Sequence, residues 1–461
     1  MEATVGSLRA LCPWLWWVPT MHVRELPVLT AADRPLIDRF ASAVGVDAGR
    51  VLAYLQLRAE DPGLDRRATA RTVGFGTELS ERPVRAALEM LTDAGLVERV
   101  TRPTSRPGRP PAVWFVTGER TETFVAACRH QGGRLSAHRN RIADREVSTV
   151  GDDQPVSPPD REMKTHEQDW GEPPGTVDLA LNWQLNPLHL PLLAARDRFP
   201  EVRPGGELSL TPTEGSRQAI DALVRGECDV AVSGAATFLR ERERGRPVVA
   251  LAVVYQRSPV VLYTTRERFG DPFESVSQLR SRRLGTPPNS ETRLLGRLML
   301  EQAGLADAVE VVDVTGEEQT ALRSGAVDAV TGAFQDPRRL REASDQTVDV
   351  VALAEQFPIY GPTVVTTMAS LRRCRPTIET VLASLVAGWA DAIVDPGAVA
   401  QAATERPTGP DSPERAAATF EHAADRFGRI EAARTQGWGV HDPDRWVGLR
   451  AALRQGGVMP P

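Results

Sequence analysis

Apolar residues recur at helical spacing through the first hundred positions and in short, strand-like runs after position 176, so the change of period divides the chain. Leu36, Ile37, Phe40 and Val44, then Val51, Leu52 and Leu55, predict helices over 30–45 and 49–61. A short segment at 68–73 and a turn at Gly74 and Gly76 lead to a further helix. Ser80 can cap that helix, Pro83 lies in its first turn, and Val84, Ala87, Leu88 and Leu91 form its inner face. Gly95 ends it. Two apolar runs, 96–100 and 112–116, flank a polar loop and predict a β-hairpin. Residues 119–146 form a helical connector with Phe124, Val125 and Cys128 on one face, read either as a dimerisation helix or as a solvated spacer.

The pattern stops between 147 and 175, where Pro155, Pro158, Pro159, Pro173 and Pro174 stand in a polar, aperiodic stretch. It reads as a flexible linker. Strands are then predicted at 177–182, 207–211, 229–233, 247–255 and 260–264, alternating with helices, and a second set follows from 283 to 331. Alternation of this kind predicts a largely parallel sheet covered by helices, in two lobes. The first lobe spans 176–264 and 362–461, the second 265–361, with hinges near Thr264 and Gly361.

Charge separates the same two parts. Residues 1–150 hold 21 arginines against 17 acidic residues, whereas the remainder holds 34 basic against 44 acidic, within an overall charge of −6. A basic first third beside an acidic remainder points to a polyanion partner for the first third alone. The four cysteines, Cys12, Cys128, Cys228 and Cys374, have neither zinc nor disulfide spacing. The first 20 residues carry only Arg9 and the aromatic run Pro13 to Trp17, too short for a membrane span and without a clear cleavage site. Residues 1–29 therefore read as an extension in which Met21 is an alternative start, and no other segment approaches the length of a membrane helix. A cytoplasmic location and no membrane partner are expected.

Helix, helix, turn, helix and hairpin over 30–118, with a V-R-A-A-L-x-x-L-x-x-A-G-L-V-E-R phrase at 84–99, resembles winged-helix DNA-binding domains. The resemblance implies that Arg82 and Arg85 on the last helix face the major groove and that Arg102, Arg106 and Arg109 at the hairpin tip follow the backbone or minor groove. Protein contacts by a solvated arginine loop are the alternative. Such regulators usually bind as homodimers, because half-sites are symmetric.

After the first predicted strand comes Leu181-Asn182-Trp183-Gln184-Leu185-Asn186-Pro187-Leu188-His189-Leu190-Pro191, and later Gly226-Glu227-Cys228-Asp229-Val230-Ala231-Val232-Ser233-Gly234. Polar and aromatic groups at strand ends before helices are where open α/β folds hold ligands. The pair L-N-W-x-x-x-P-x-H-x-P and G-x-x-D-x-x-x-S-G resembles the type II periplasmic-binding-protein-like fold, over roughly 176–400. Within it the pattern is similar to the group of thiamine-pyrimidine synthases and the pyrimidine, sulfonate and taurine binding proteins. The expected fold class is thus α/β: a winged helix-turn-helix, itself α+β, followed by a two-lobed solute-binding-like domain.

The resemblance implies that Trp183 stacks on a planar ring and that His189 hydrogen-bonds it, with Asn182, Ser233 and Gly234 at the pocket floor. The loop 286–292 precedes a helix, so Asn289, Ser290 and Thr292 offer donors to an accepting group, or merely cap that helix. Glu291 would repel phosphate and suits an aminopyrimidine or ammonium. Tyr255, Asp336 and Thr363 are weaker candidates.

Catalysis is not expected. The synthases carry a lysine and a histidine after the second motif's strand, where this chain has Ser233 and Thr237, and in place of their clustered cysteines stands Tyr360 to Thr367. The one lysine, Lys164, falls in the linker, which argues against a pyridoxal phosphate Schiff base. No cofactor or metal is expected. The reading is a ligand-sensing transcriptional regulator for a pyrimidine or sulfonate-like molecule, with a divergent synthase or a transporter-type solute-binding protein as the alternative.

Overall fold

The computed structural model describes residues 28–101, 111–147, 175–288, 290–314, 316–356, 359–404 and 412–459. The first part runs α1 (Arg34–Val44), α2 (Val46–Glu60), α3 (Ala70–Thr77), α4 (Glu81–Asp93), an antiparallel hairpin of β1 (Glu98–Thr101) and β2 (Ala112–Phe115), and α5 (Arg120–Val147). Val84, Ala87, Leu88 and Leu91 are the buried face of α4, as the spacing predicts. Gly74 and Gly76 do not form the expected turn. They lie inside α3, where a Cβ on Gly76 would collide with the Tyr54 ring, and the chain reverses instead at Glu78, with φ of 57°. Ser80 occupies the N-cap position of α4 without a side-chain capping bond.

From β3 (Thr176–Ala180) the chain continues through α6 (Leu190–Val202), β4 (Glu207–Thr211), α7 (Ser216–Arg225), β5 (Val230–Gly234), α8 (Ala235–Glu243) and β6 (Val248–Val253). It crosses to β7 (Val260–Thr265), α9 (Arg266–Phe269), β8 (Arg283–Thr286), α10 (Glu291–Gln302), β9 (Glu310–Asp313), α11 (Glu318–Ser324), β10 (Ala329–Ala333), α12 (Asp336–Ala343), β11 (Val348–Ala352) and α13 (Leu353–Gln356). It returns through β12 (Pro362–Thr367) into α14 (Met368–Arg373), α15 (Arg375–Val394), α16 (Pro396–Thr404), α17 (Pro413–Ala423), α18 (Glu431–Gln436) and α19 (Pro443–Gln455).

Two five-stranded sheets result, ordered β4-β3-β5-β12-β6 and β9-β8-β10-β7-β11. Both follow one plan. Three parallel strands are joined by an antiparallel one that arrives from the other lobe, β12 in the first sheet and β7 in the second. The first hinge consequently lies before Val260 and not at Thr264, because all of β7 belongs to the second sheet. Equivalent polar contacts repeat as well. Asp229 accepts from the Asp178 N–H at 3.0 Å and its carbonyl from Thr366 Oγ1 at 2.8 Å; Asp328 accepts from the Arg283 N–H at 2.8 Å and its carbonyl from Thr264 Oγ1 at 2.7 Å. In each lobe this aspartate joins the first strand to the exchanged one.

The helix α15 is long and apolar enough to cross a membrane, contrary to the expectation that no segment beyond the amino terminus is, and it is mostly buried inside the fold. It is apolar all round because it is covered on several sides, by α6, α5 and α1. Gly388 allows the contact with α6: a Cβ there would overlap the Pro191 carbonyl and the Ala195 backbone. Gly132 does the same for α5, where a Cβ would stand 2.7 Å from the Glu379 carbonyl. Phe124, Cys128, Gln131 and Leu135, the buried face of α5, are thus occupied within the chain. Gln131 Nε2 donates to the Trp438 carbonyl at 2.8 Å, and Arg39 and Arg198 both reach Asp391 of α15, at 2.6 and 2.5 Å.

Close helix packing of this kind leaves no room for a methyl group. Gly388→Ala is expected to destabilise the protein by about 2–3 kcal/mol in denaturant unfolding. Gly133→Ala, one residue beyond the contact and with nothing within 4 Å of its Cβ position, is expected to be neutral or stabilising by up to about 1 kcal/mol.

Candidate functional site

The carboxyl ends of β3, β5, β8 and β10 face one another across the lobes and bound a cleft of about 500 Å³. On the first lobe, Asn182, Trp183 and His189 line it. The loop after β3 is shaped by its own residues: Asn186 Oδ1 accepts from the Leu188 N–H at 3.0 Å and starts a single 3-10 turn with Pro187. That turn drops the His189 ring inward, where Nε2 meets Asn182 Oδ1 at 3.0 Å and Nδ1 is buried without a partner. Burial pushes the imidazole down to about 4, so it is neutral at ordinary pH. Trp183 remains half-buried at the cleft wall. Behind the loop, the buried Tyr255 hydroxyl donates to the Leu188 carbonyl at 3.0 Å.

At the end of β5, Val232 and Gly234 line the cleft and Ser233 does not. Alternate strand residues point to opposite faces, so the motif's serine is turned into the fold, its hydroxyl 3.1 Å from the Gly234 carbonyl. The serine that serves the floor is Ser216 at the start of α7, whose Oγ accepts from the Gly234 N–H at 2.9 Å. Thr363 is likewise buried away from the cleft, while Tyr255 and Asp336 line it.

Ser290, Glu291 and Thr292 of the second lobe all reach the cleft. Ser290 is engaged in capping, its Oγ accepting from the Arg293 N–H at 3.0 Å and donating to the Pro287 carbonyl at 2.7 Å. Asn289 lies outside the described residues, as do Arg102, Arg106 and Arg109. Opposite, Asp336 accepts from the Ala333 N–H at 2.7 Å, and Gly332 leaves room for it beside Tyr263. Thr331 and Gln335, also on the wall, carry buried side-chain oxygens without a partner.

Sequence reading missed most of this second wall, although a signal was present. Gly325-Ala326-Val327-Asp328-Ala329-Val330-Thr331-Gly332 echoes Gly226 to Gly234 with one residue fewer. The leading glycine of each has φ near +77°, 76° and 77°, and ends a helix. Among the described residues four carboxylates line the cleft, Glu291, Glu317, Glu318 and Asp336, against two guanidinium groups, Arg323 and Arg339. Among the described residues no group of three or more His, Cys, Asp or Glu could hold a metal. Burial holds the Cys128 and Cys228 thiols protonated, the latter pushed up to about 12.

Residues 186–399 match the family model described as NMT1/THI5 like, which begins within the first strand-end loop, after Trp183, and runs through the second lobe and α15 into α16. None of the curated proteins compared with the chain matches it. Among solved structures, the chain is similar to the periplasmic aliphatic sulphonate binding protein of Escherichia coli, at 15% identity and a TM-score of 0.49, over 62% of this chain and 89% of that one. It is also similar to a Candida albicans gene product described as having the generic periplasmic binding protein fold, at 16% identity and a TM-score of 0.49, over 62% and 91%. A third is the alkanesulfonate-binding protein of Xanthomonas axonopodis pv. citri bound to MOPS, at 16% identity and a TM-score of 0.44, over 54% and 84%. Neighbours that are periplasmic or belong to import systems overturn the expected cytoplasmic location, which is not carried forward. The architecture is a two-lobed α/β fold, similar to that of periplasmic binding proteins, of which residues 186–399 match the NMT1/THI5-like model.

Burial raises the Asp336 carboxyl from its ordinary 3.8 to about 6, against the opposing pull of the Ala333 N–H and Arg339. The folded state therefore holds this proton more tightly than the unfolded one, and stability falls as pH rises from about 4 to above 6. With a quarter of the side chain exposed, screening trims the effect. Asp336→Asn is expected to be neutral near pH 4 and stabilising by about 1–2 kcal/mol at pH 7.5 in paired denaturation curves.

Proposed function

We propose that the chain is a small-molecule receptor of the solute-binding kind, and that its ligand is a planar, hydrogen-bonding heterocycle held between the lobes, such as a thiamine-type pyrimidine. The observation that carries this is the set of polar atoms buried in the cleft wall without protein partners: His189 Nδ1, Thr331 Oγ1 and Gln335 Oε1. Such groups cost free energy unless a bound molecule or water satisfies them. Trp183 offers an aromatic face beside them. Of the two ligand chemistries the sequence points to, the excess of carboxylates favours an amino-bearing ring over a sulfonate. The reading is of a binder and not a catalyst: Ser233 and Thr237 stand where the pyrimidine synthases carry lysine and histidine, and Thr237 is already bonded to Glu291.

A thermal-shift panel on the full chain tests it, with thiamine, its pyrimidine and phosphorylated forms, pyridoxal phosphate and alkylsulfonates. A ligand at a hundredfold excess over Kd adds about 2.7 kcal/mol to stability. A shift with the pyrimidine that weakens about tenfold or more in Trp183→Ala supports the reading. Silence across the panel, or a response indifferent to Trp183, sinks the ligand class.

A second reading joins this receptor to DNA, as a homodimeric regulator. It is favoured by the exposed Arg82 and Arg85 on α4, the last helix before the hairpin, although Arg85 is paired with Glu81 at 2.7 Å. Fluorescence anisotropy with a labelled random duplex decides it. Binding whose salt slope falls by about one phosphate contact in Arg82→Ala is expected, and no binding near 50 mM salt would remove it.

A further inference from the structure

The start of α8 lies at the first-lobe edge of the cleft, directly after Gly234. The opening N–H groups of a helix have no partner within it and carry a positive partial charge, so they attract an anion. Here a carboxylate from the other lobe fills that place. Glu291, the first residue of α10, accepts from the Ala236 N–H at 2.9 Å, the Thr237 N–H at 2.9 Å and Thr237 Oγ1 at 2.5 Å. Gly234 is shaped for it, since a Cβ at that position would overlap the Glu291 carboxyl. Burial raises the Glu291 carboxyl, while these three donors and the charge of Arg240 lower it again.

We propose that Glu291 is a built-in counter-anion that latches the second lobe onto the α8 start of the first, and that by occupying this place it excludes ligands with an anionic head group there. The inference rests on the interlobe cleft being the ligand site. It sets the specificity of that site: a sulfonate or phosphate competes directly with Glu291, whereas a neutral or cationic ligand leaves the latch closed. Ionisation of Glu291 is sensed by Arg240 on α8 and by the hydroxyl of Thr237, and its own helix is capped independently by Ser290.

The test compares the full-length protein with Glu291→Ala, using sodium sulfate and methanesulfonate as probes at matched ionic strength. Calorimetric titration is expected to show at least a tenfold gain in sulfate affinity in the variant. Small-angle scattering is expected to show a larger radius of gyration without sulfate that shrinks when sulfate is added. Where Glu291→Ala fails to fold, Gly234→Ala is read in the same way, because its methyl group displaces the same carboxylate. Equal sulfate affinity in wild type and variant, or a variant with neither the gain nor the opening, overturns the latch. The two proposals fail separately: a pyrimidine response with no sulfate gain sinks only the latch, and a sulfate gain with a silent ligand panel sinks only the ligand class.

Discussion

The packing of α15 is the constraint on which the remainder depends. Its Gly388 brings α6, and Gly132 of α5 brings that helix, within backbone contact of it, and its last turn holds Asp391 between Arg39 of α1 and Arg198 of α6. Helices from the beginning of the chain are thereby fixed to the first lobe by apolar area and by a shared, mostly buried carboxylate. The same helix supports the cleft. Trp389 lies edge-on to Tyr255 at 5.6 Å, and Tyr255 holds the loop that carries Trp183 and His189. Trp389 also meets Trp438, whose backbone N–H donates to the Ser42 carbonyl of α1. A continuous run of packed aromatic side chains therefore separates the cleft from the amino-terminal helices.

Polar groups are settled differently in the body of each lobe and at the cleft. In the body, Asp229 and Asp328 satisfy strand N–H groups in equivalent ways, so these motif aspartates serve the sheets and not a ligand. At the cleft, satisfaction is incomplete on both lobes and in one place crosses between them. His189, Thr331 and Gln335 retain unpaired atoms, while Glu291 spends its acceptors on the opposite lobe. The cleft is thus at once unfinished and held shut.

Much of this was legible in the sequence because strand ends before helices announce themselves. Asn182, Trp183, His189 and Gly234 stand at such ends and Glu291 at a helix start, and the structure sets all five around one cleft. Ser233 failed for a reason of parity: a motif gives spacing along the strand, whereas the face depends on which residue the pleat turns inward. The hinge at Thr264 failed because apolar periodicity does not reveal that a strand crosses to the other sheet. Gly74 and Gly76 read as a turn because glycines required by close packing, Gly76 against the Tyr54 ring and Gly74 near the Leu79 carbonyl, look like ones required by the backbone. The second wall was hidden by a repeat one residue short of its counterpart.

The exchange of strands also governs how the chain can assemble. Arg39 and Asp391 are 352 positions apart, and Ser136 waits for Glu379 at a separation of 243. The first sheet does not close on a contiguous stretch of chain, because β12 returns to it only after the whole second sheet, and parts of the buried faces of α1 and α5 stay uncovered until α15 has been made. During synthesis from the amino terminus, those apolar faces stand open while most of the protein is still absent. Non-local closure of this sort is slow and leaves surface exposed to misassembly, so in this fold that exposure falls on the amino-terminal helices.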